Sequence, residues 1–330
     1  MSPRPDFSAL AGQRCLVFGA AGFIGRWVAR ELASHGARLT LVARDLPSAR
    51  KVFDAWEVLG DVREADLVQT GVATALIELV RPSIVFNLAG YGVDRGERDG
   101  AQALRLNAQL PEEIAAALAH ARDLNWGQQA LIHAGSALEY GTAGGDLREE
   151  GPATPTTLYG GTKLSGTTQL LTRAREQGLR ALSVRLFTVY GPGEHDGRLL
   201  PSLLDAARGG RELELSEGLQ RRDFTYVGDV AEGLVRLSLT PASAAAEPGV
   251  VNLATGSLAS VREFALLAAR VLGHPAQKLR FGALPARAEE MEHNDVSVSR
   301  LRELTGGWIP QISIQEGVER TAKFLRERGP

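Results

Sequence analysis

Cys15-Leu-Val-Phe18-Gly19-Ala-Ala-Gly22-Phe-Ile-Gly25 is the stretch on which the fold turns. Cys15 to Phe18 reads as a buried strand, and a helix starts near Phe23. Glycine at the three marked places permits a tight turn, lets backbone approach a pyrophosphate, and allows close packing of helix on strand. The helix start adds free N–H groups and a partial positive charge. The spacing G-x-x-G-x-x-G, in a strand-turn-helix context, points to a dinucleotide site.

Outward from this turn, short apolar runs alternate with amphipathic stretches, the pattern of βαβ units feeding a parallel sheet. The expected strands are Cys15 to Phe18, Leu39 to Val42, Ile84 to Leu88, Ala130 to His133, Ala181 to Leu186 and Val250 to Leu253. The expected helices are Phe23 to His35, Ala103 to Arg122, Tyr159 to Glu176 and Val261 to Leu272. This predicts an α/β Rossmann fold, a doubly wound parallel sheet with a smaller C-terminal lobe. After Leu186 glycines and prolines become frequent, which reads as a looser lobe with long loops. The division expected is 1–186 with 224–255 for the dinucleotide domain and 187–223 with 256–330 for the lobe.

The chain has 330 residues, 44% apolar and 23% charged, enough to build a large core. Its net charge of -2 provides no basic stripe for nucleic acid and no polybasic arm for a membrane. The single cysteine, Cys15, rules out an intramolecular disulfide. No stretch approaches the roughly 18 apolar residues of a membrane span, and Met1 to Gly12 lacks a signal-peptide core. A cytoplasmic protein acting on small molecules is expected. His133, His195 and His293 lack metal-ligand spacing.

At the end of the second strand, an acid would hold an adenosine ribose, whereas a small residue with arginine would accept a 2′-phosphate. Ala43-Arg44 stands there and favours NADP(H); Asp45 leaves NAD(H) open if the strand ends two residues later. Asp61 and Val62 would lie against adenine, and Leu88-Ala89-Gly90 would let the cofactor approach the backbone. Tyr159 and Lys163, four apart, share one helical face. A phenol with its ordinary pKa near ~10 needs a nearby cation to ionise, which Lys163 can provide. Ser136, just past a strand, would hold the substrate oxygen.

In that order, the glycine turn, Gly60-Asp61-Val62, Asn87 to Gly90, Asn107, Ser136-Ala-Leu-Glu-Tyr140-Gly141, Tyr159 to Lys163, Arg185-Leu-Phe-Thr-Val-Tyr190-Gly-Pro192 and Gln220-Arg-Arg-Asp-Phe224-Thr-Tyr-Val227 resemble the extended short-chain dehydrogenase/reductases, the NAD-dependent epimerase/dehydratase family, from Arg14 to about Phe324. The resemblance implies a smaller C-terminal substrate-binding lobe beside the Rossmann sheet, and Ser136, Tyr159 and Lys163 as catalytic residues. It implies Gly19, Gly22, Phe23, Ile24, Gly25, Arg44, Asp61, Val62, Leu88, Ala89, Gly90 and Asn107 about the cofactor, with Tyr159 and Lys163. Val93, Ser136, Thr188, Leu200, Arg222 and Arg287 would meet a nucleoside diphosphate sugar, the two arginines as diphosphate clamps. A homodimer pairing Ala103 to Arg122 with Tyr159 to Glu176 across a two-fold is also implied.

Ala137 and Leu138 occupy the places where the family's dehydratases carry Asp-Glu, which argues against elimination of water. Thr188 stands where the family often has Asn. The expectation is a reductase of a nucleotide-linked 4-keto-6-deoxy sugar, with a nucleotide-sugar 4-epimerase as the alternative. A non-catalytic sensor or scaffold would be marked by loss of Tyr or Lys, and neither is lost.

Overall fold

The first strand is apolar toward both sides, and both sides are covered. In the computed structural model, which describes residues 6–92, 96–143, 146–285 and 295–328, β1 (Arg14–Phe18) turns at Gly19 into α1 (Phe23–Ser34). β2 (Arg38–Ala43), α2 (Leu46–Trp56), β3 (Asp61–Glu64), α3 (Val72–Val80) and β4 (Ile84–Asn87) follow. α4 (Gly100–Ala103), a π-helical turn (Leu104–Gln109) and α5 (Leu110–Ala121) lead to β5 (Leu131–Ser136), α6 (Leu158–Glu176) and β6 (Ala181–Leu186). Then come β7 (Thr188–Tyr190), α7 (Leu199–Gly209), β8 (Leu213–Leu215), β9 (Arg221–Tyr226), α8 (Val227–Ser238) and β10 (Gly249–Leu253). β11 (Leu258–Ser260), α9 (Val261–Val271), β12 (Leu279–Phe281), α10 (Ser299–Leu304) and α11 (Ile314–Arg328) complete the chain.

The main sheet has seven parallel strands in the order β10-β6-β5-β4-β1-β2-β3. The order reverses between β1 and β4, and a doubly wound sheet opens its ligand crevice at the carboxyl ends of such strands. Alternation along β1 explains the two layers. Cys15 and Val17 pack with Val28 and Leu32 of α1 and Val230 and Leu234 of α8. Leu16 and Phe18 pack with Ile77 of α3, Ile114 and Leu118 of α5 and Leu170 of α6. Each such buried aliphatic or Phe side chain contributes about 1.5–3 kcal/mol.

The segment after β6 is more regular than its glycines and prolines suggested. β7 pairs parallel with β9, β9 antiparallel with β11, and β8 parallel with β12. Long-range pairing supplies order that short, glycine-bounded runs do not announce locally. Asp223, fully buried on β9, accepts hydrogen bonds from Thr225 Oγ1, from the Thr255 amide and hydroxyl, and from the Gly256 amide. One carboxylate thus ties this small sheet to the turn that leaves β10.

Three other expectations change. The single helix expected over Ala103 to Arg122 is interrupted by the π turn. Asp61 opens β3, a strand absent from those expected. Asp45 is neither a strand residue nor a free carboxylate: β2 ends at Ala43, and Asp45 caps α2 by accepting from the Ser48 amide at 2.8 Å.

Candidate active site

The carboxyl ends of β1, β4 and β5 and the start of α6 converge. At the first of these, Gly19 has φ +73°, and a Cβ there would stand 2.8 Å from the Ala89 amide nitrogen, so the turn and the Leu88-Ala89 segment run backbone to backbone. The Leu88 amide donates to the Phe18 carbonyl at 3.0 Å. A Cβ on Gly25 would collide with the Gly19 carbonyl oxygen, so only glycine lets α1 seat this closely. Gly22 is the N-cap of α1 and brings no capping side chain, and the first turn, with Phe23, Ile24 and Gly25, has no acidic residue. The N-terminal amides and partial positive charge are left for an anion, and a cofactor diphosphate fits that cradle.

Beyond β2, Arg44 is exposed beside the crevice. Asp61 lies at the amino end of β3, about half exposed, and pairs with Arg63 at 2.7 Å, with Val62 half-buried next to it. Leu88 to Gly92 crosses in front of α6: a Cβ on Gly90 would stand 3.2 Å from Lys163 Nζ, and one on Gly92 3.3 Å from the Tyr159 ring. Asn107, fully buried in the π turn, is not open to a ligand. Its Oδ1 accepts from the Tyr91 amide, and its Nδ2 donates to the Tyr91 carbonyl and to Thr162 Oγ1. It therefore braces the Gly90 loop against α6.

α6 starts where the Thr157 hydroxyl accepts from the Gly160 amide, and this cap places Tyr159 and Lys163 in its first two turns. Ser136 is the last residue of β5 rather than a residue past it. Its hydroxyl accepts from the Leu138 amide at 3.1 Å and lies near enough to Tyr159 to favour the ionised phenol. Lys163 is buried, donates to the Ala134 carbonyl at 3.0 Å, and lies 5.9 Å from the centre of the Tyr159 ring. The three residues singled out from sequence are brought together.

Their electrostatics are governed by burial. It pushes the Tyr159 phenol above its ordinary range, and the Glu139 carboxylate adds to that, while Ser136 and Arg198 pull the other way. Lys163 is brought down to about 8 by burial, opposed by Glu139. Tyr159 thus holds its proton. Such a phenol is suited to donating one.

On the lobe side, Thr188 opens β7 opposite Phe224 of β9, and Arg222 lies half-buried on β9 beside Ala259. Leu200 is 1% exposed and packs into the core beneath α7, so its side chain is not an open contact. Val93 and Arg287 lie outside the described residues, as does His293. His133 is a wholly buried strand residue with Nδ1 3.1 Å from Asn87 Nδ2, and burial, then Lys163, keeps it far below its ordinary pKa and neutral. Among the described residues no group of three or more His, Cys, Asp or Glu could hold a metal ion, and no helix is long and apolar enough to cross a membrane.

Two residues near the site were not singled out from sequence. Arg198, just before α7, brings its charge to bear on Tyr159. Glu139, in the 3-10 turn after β5, is fully buried and pairs with Arg185 Nε at 3.0 Å. A Ser136-x-x-Glu139 capping box was the available signal.

The sequence model of the NAD dependent epimerase/dehydratase family matches residues 15–254. A dTDP-6-deoxy-L-talose 4-dehydrogenase (NAD(P)(+)) of Kitasatospora kifunensis is 32% identical, over 93% of this chain and 94% of that one. A dTDP-4-dehydro-6-deoxy-D-allose reductase of a Streptomyces species is 31% identical, over 96% and 97%. The structure of MoeE5 in complex with UDP-glucuronic acid and NAD superimposes with a TM-score of 0.78 at 27% identity, covering 96% of this chain and 99% of that one.

Proposed function

Because the chain belongs to the NAD dependent epimerase/dehydratase family, we propose that it is an NAD(P)H-dependent reductase of a nucleotide-linked 4-keto-6-deoxy sugar. The observation that carries the reductive reading is the end of β2: the strand stops at Ala43, Arg44 follows exposed, and the acid next to it, Asp45, is committed to capping α2. A 2′-phosphate is welcome at such a place, and NADPH is the cofactor of choice for net reduction. The 4-dehydrogenase and 4-dehydro-sugar reductase among the relatives support the same direction.

Reduction of the ketone needs one hydride and one proton. The nicotinamide, when bound, supplies the hydride. The Gly19 to Gly25 turn and the start of α1 hold the diphosphate, and Leu88 to Gly90 lets the cofactor lie close to Lys163. Ser136 holds the ketone oxygen by a hydrogen bond, and Tyr159 gives that oxygen the phenolic proton as negative charge develops on it. Lys163 stabilises the phenolate left behind. Ala137 and Leu138 provide no second acid and base, so the chemistry stops at the alcohol.

Residues 1–186 with 224–255 serve the cofactor in this reading, and 187–223 with 256–330 the sugar nucleotide, with Arg222 and Arg287 on its diphosphate and Val93, Thr188 and the backbone at Leu200 about the rest. Exposed Leu104 and Leu158, on the π turn and at the start of α6, fit burial against a second copy of the chain, and sedimentation would measure it.

The test is to supply dTDP-4-keto-6-deoxyglucose with NADPH or NADH, follow the loss of nicotinamide absorbance, and identify the sugar by NMR. Consumption of NADPH with formation of the 4-hydroxy sugar is expected. Co-purified NAD that resists exchange, with interconversion of 4-epimers and no net consumption, would move the assignment to an epimerase.

A further inference from the structure

One buried carboxylate touches both elements that carry the proposed acid–base residues. Glu139 Oε1 accepts from the Ser136 amide at 2.8 Å and from the Thr167 hydroxyl at 3.2 Å. Thr167 lies one helical turn beyond Lys163 and two beyond Tyr159 on α6. The second oxygen, Oε2, meets Arg185 Nε on β6, where Arg185 stands opposite Gly135. The place is made for the carboxylate: a Cβ on Gly135 would stand 2.7 Å from Oε1, so a larger residue before Ser136 would evict it. Arg185 is itself held, over the Tyr140 ring at 4.2 Å, and the Tyr140 hydroxyl donates to Asn252 on β10 at 2.8 Å.

We propose that Glu139 is a positioning residue, which clamps the Ser136 end of β5 to α6 and thereby sets Ser136 against Tyr159 and Lys163. The inference rests on the acid–base reading above. An amide could offer the same acceptor to Ser136 and Thr167, so the clamp alone does not require a charge. The charge has its own effect, since burial without a counter-charge favours the neutral form of an ammonium. Lys163 faces Glu139 from the turn after β5, His133 from β5 and Tyr159 from its own helix. Tyr159 faces Ser136 and Glu139 from the end of β5 and the turn after it, Arg198 from before α7 and Glu97 from the loop after β4. Glu139 is the anion that both feel: it opposes the burial that would neutralise Lys163 and adds to the burial that keeps Tyr159 a phenol, the pair of states that delivers a proton.

The deciding variant is Glu139→Gln, which keeps the shape and removes the charge. The chain has four lysines, so a pH titration of ¹³C-labelled lysine Cε signals by NMR resolves Lys163, identified by its loss in Lys163→Met. In the parent protein the midpoint is expected near 8. In Glu139→Gln it moves to lower pH by about one unit, and with dTDP-4-keto-6-deoxyglucose and NADPH kcat falls about tenfold while KM stays within about twofold. A midpoint that does not move, or a kcat within about twofold of the parent, overturns the proposal, whatever happens to the melting temperature. If Glu139→Gln does not fold, Thr167→Val removes one clamp contact and leaves the charge: kcat drops about threefold with the Lys163 midpoint in place, and an unchanged kcat overturns the proposal. The titration uses no substrate, so it decides alone if that sugar is not turned over. Tyr159→Phe, measured in parallel, separates the two failures: normal turnover there defeats the acid–base reading, while its loss alongside an unaffected Glu139→Gln defeats only the role of Glu139.

Discussion

The turn between β1 and α1 and the corner between β5 and α6 are built in opposite ways. The first is made by leaving side chains out: Gly19 and Gly25 let backbone approach backbone, and Gly22 caps α1 without a side-chain bond. The second is made by filling every position, with Ser136, Glu139, Lys163, Thr167 and Arg185 in mutual or backbone hydrogen bonds. The open turn suits a charged guest that brings its own acceptors. The filled corner suits chemistry whose groups must stand still.

The sharpest way to break the filled corner is Tyr159→Phe, which removes the proton donor and keeps the ring. Turnover is expected to fall roughly 10²- to 10⁴-fold with cofactor affinity retained, as read by steady-state rates and a nicotinamide titration. At the open turn, Gly25→Ala drives a methyl group into the Gly19 carbonyl. Overpacking of about 1–3 kcal/mol would weaken the cofactor roughly 10- to 100-fold by calorimetry, with the corner's chemistry intact at saturation. The pH dependence probes the corner again. Lys163 is an ammonium below about 8 and neutral above it, so kcat/KM should hold on the acid side and decline as pH rises through about 8, tenfold per unit at the limit. The smallest effect sharpens the contrast between helix starts. α9 begins with a Ser260–Glu263 capping box, the self-satisfied counterpart of α1. Ser260→Ala should cost about 1 kcal/mol in thermal melts and leave cofactor binding unchanged.

The same contrast explains what was legible in the sequence. A site made from backbone is written as spacing, so Gly19, Gly22 and Gly25 could be read directly, along with the strand before them and the helix after. Tyr159 and Lys163 were readable for the same reason, being four apart on one helix. The clamp around Ser136 was not, because Thr167 lies 28 residues and Arg185 46 residues from Glu139, and only the fold brings them together. Asp45 shows a further kind of error. Asp45-Leu-Pro47-Ser48 carries the cap and early proline of a helix start, yet its place just after a strand also invites a reading as a ribose ligand. The small sheets after β6 escaped because three-residue strands pair with partners far along the chain.

The π turn at Leu104–Gln109 has a consequence for how this protein can be altered. A π turn carries one residue more than the α-helix it interrupts, and each residue advances a helix by about 100°. Chain length at this one place therefore sets the rotation of Asn107 beneath the Gly90 loop. Removing a single residue there would restore ordinary helical hydrogen bonding and swing that amide away from Tyr91 and Thr162, a change no substitution reproduces. Laboratory libraries that vary only residue identity leave this degree of freedom untouched; libraries with one-residue deletions and insertions at 104–109 reach it.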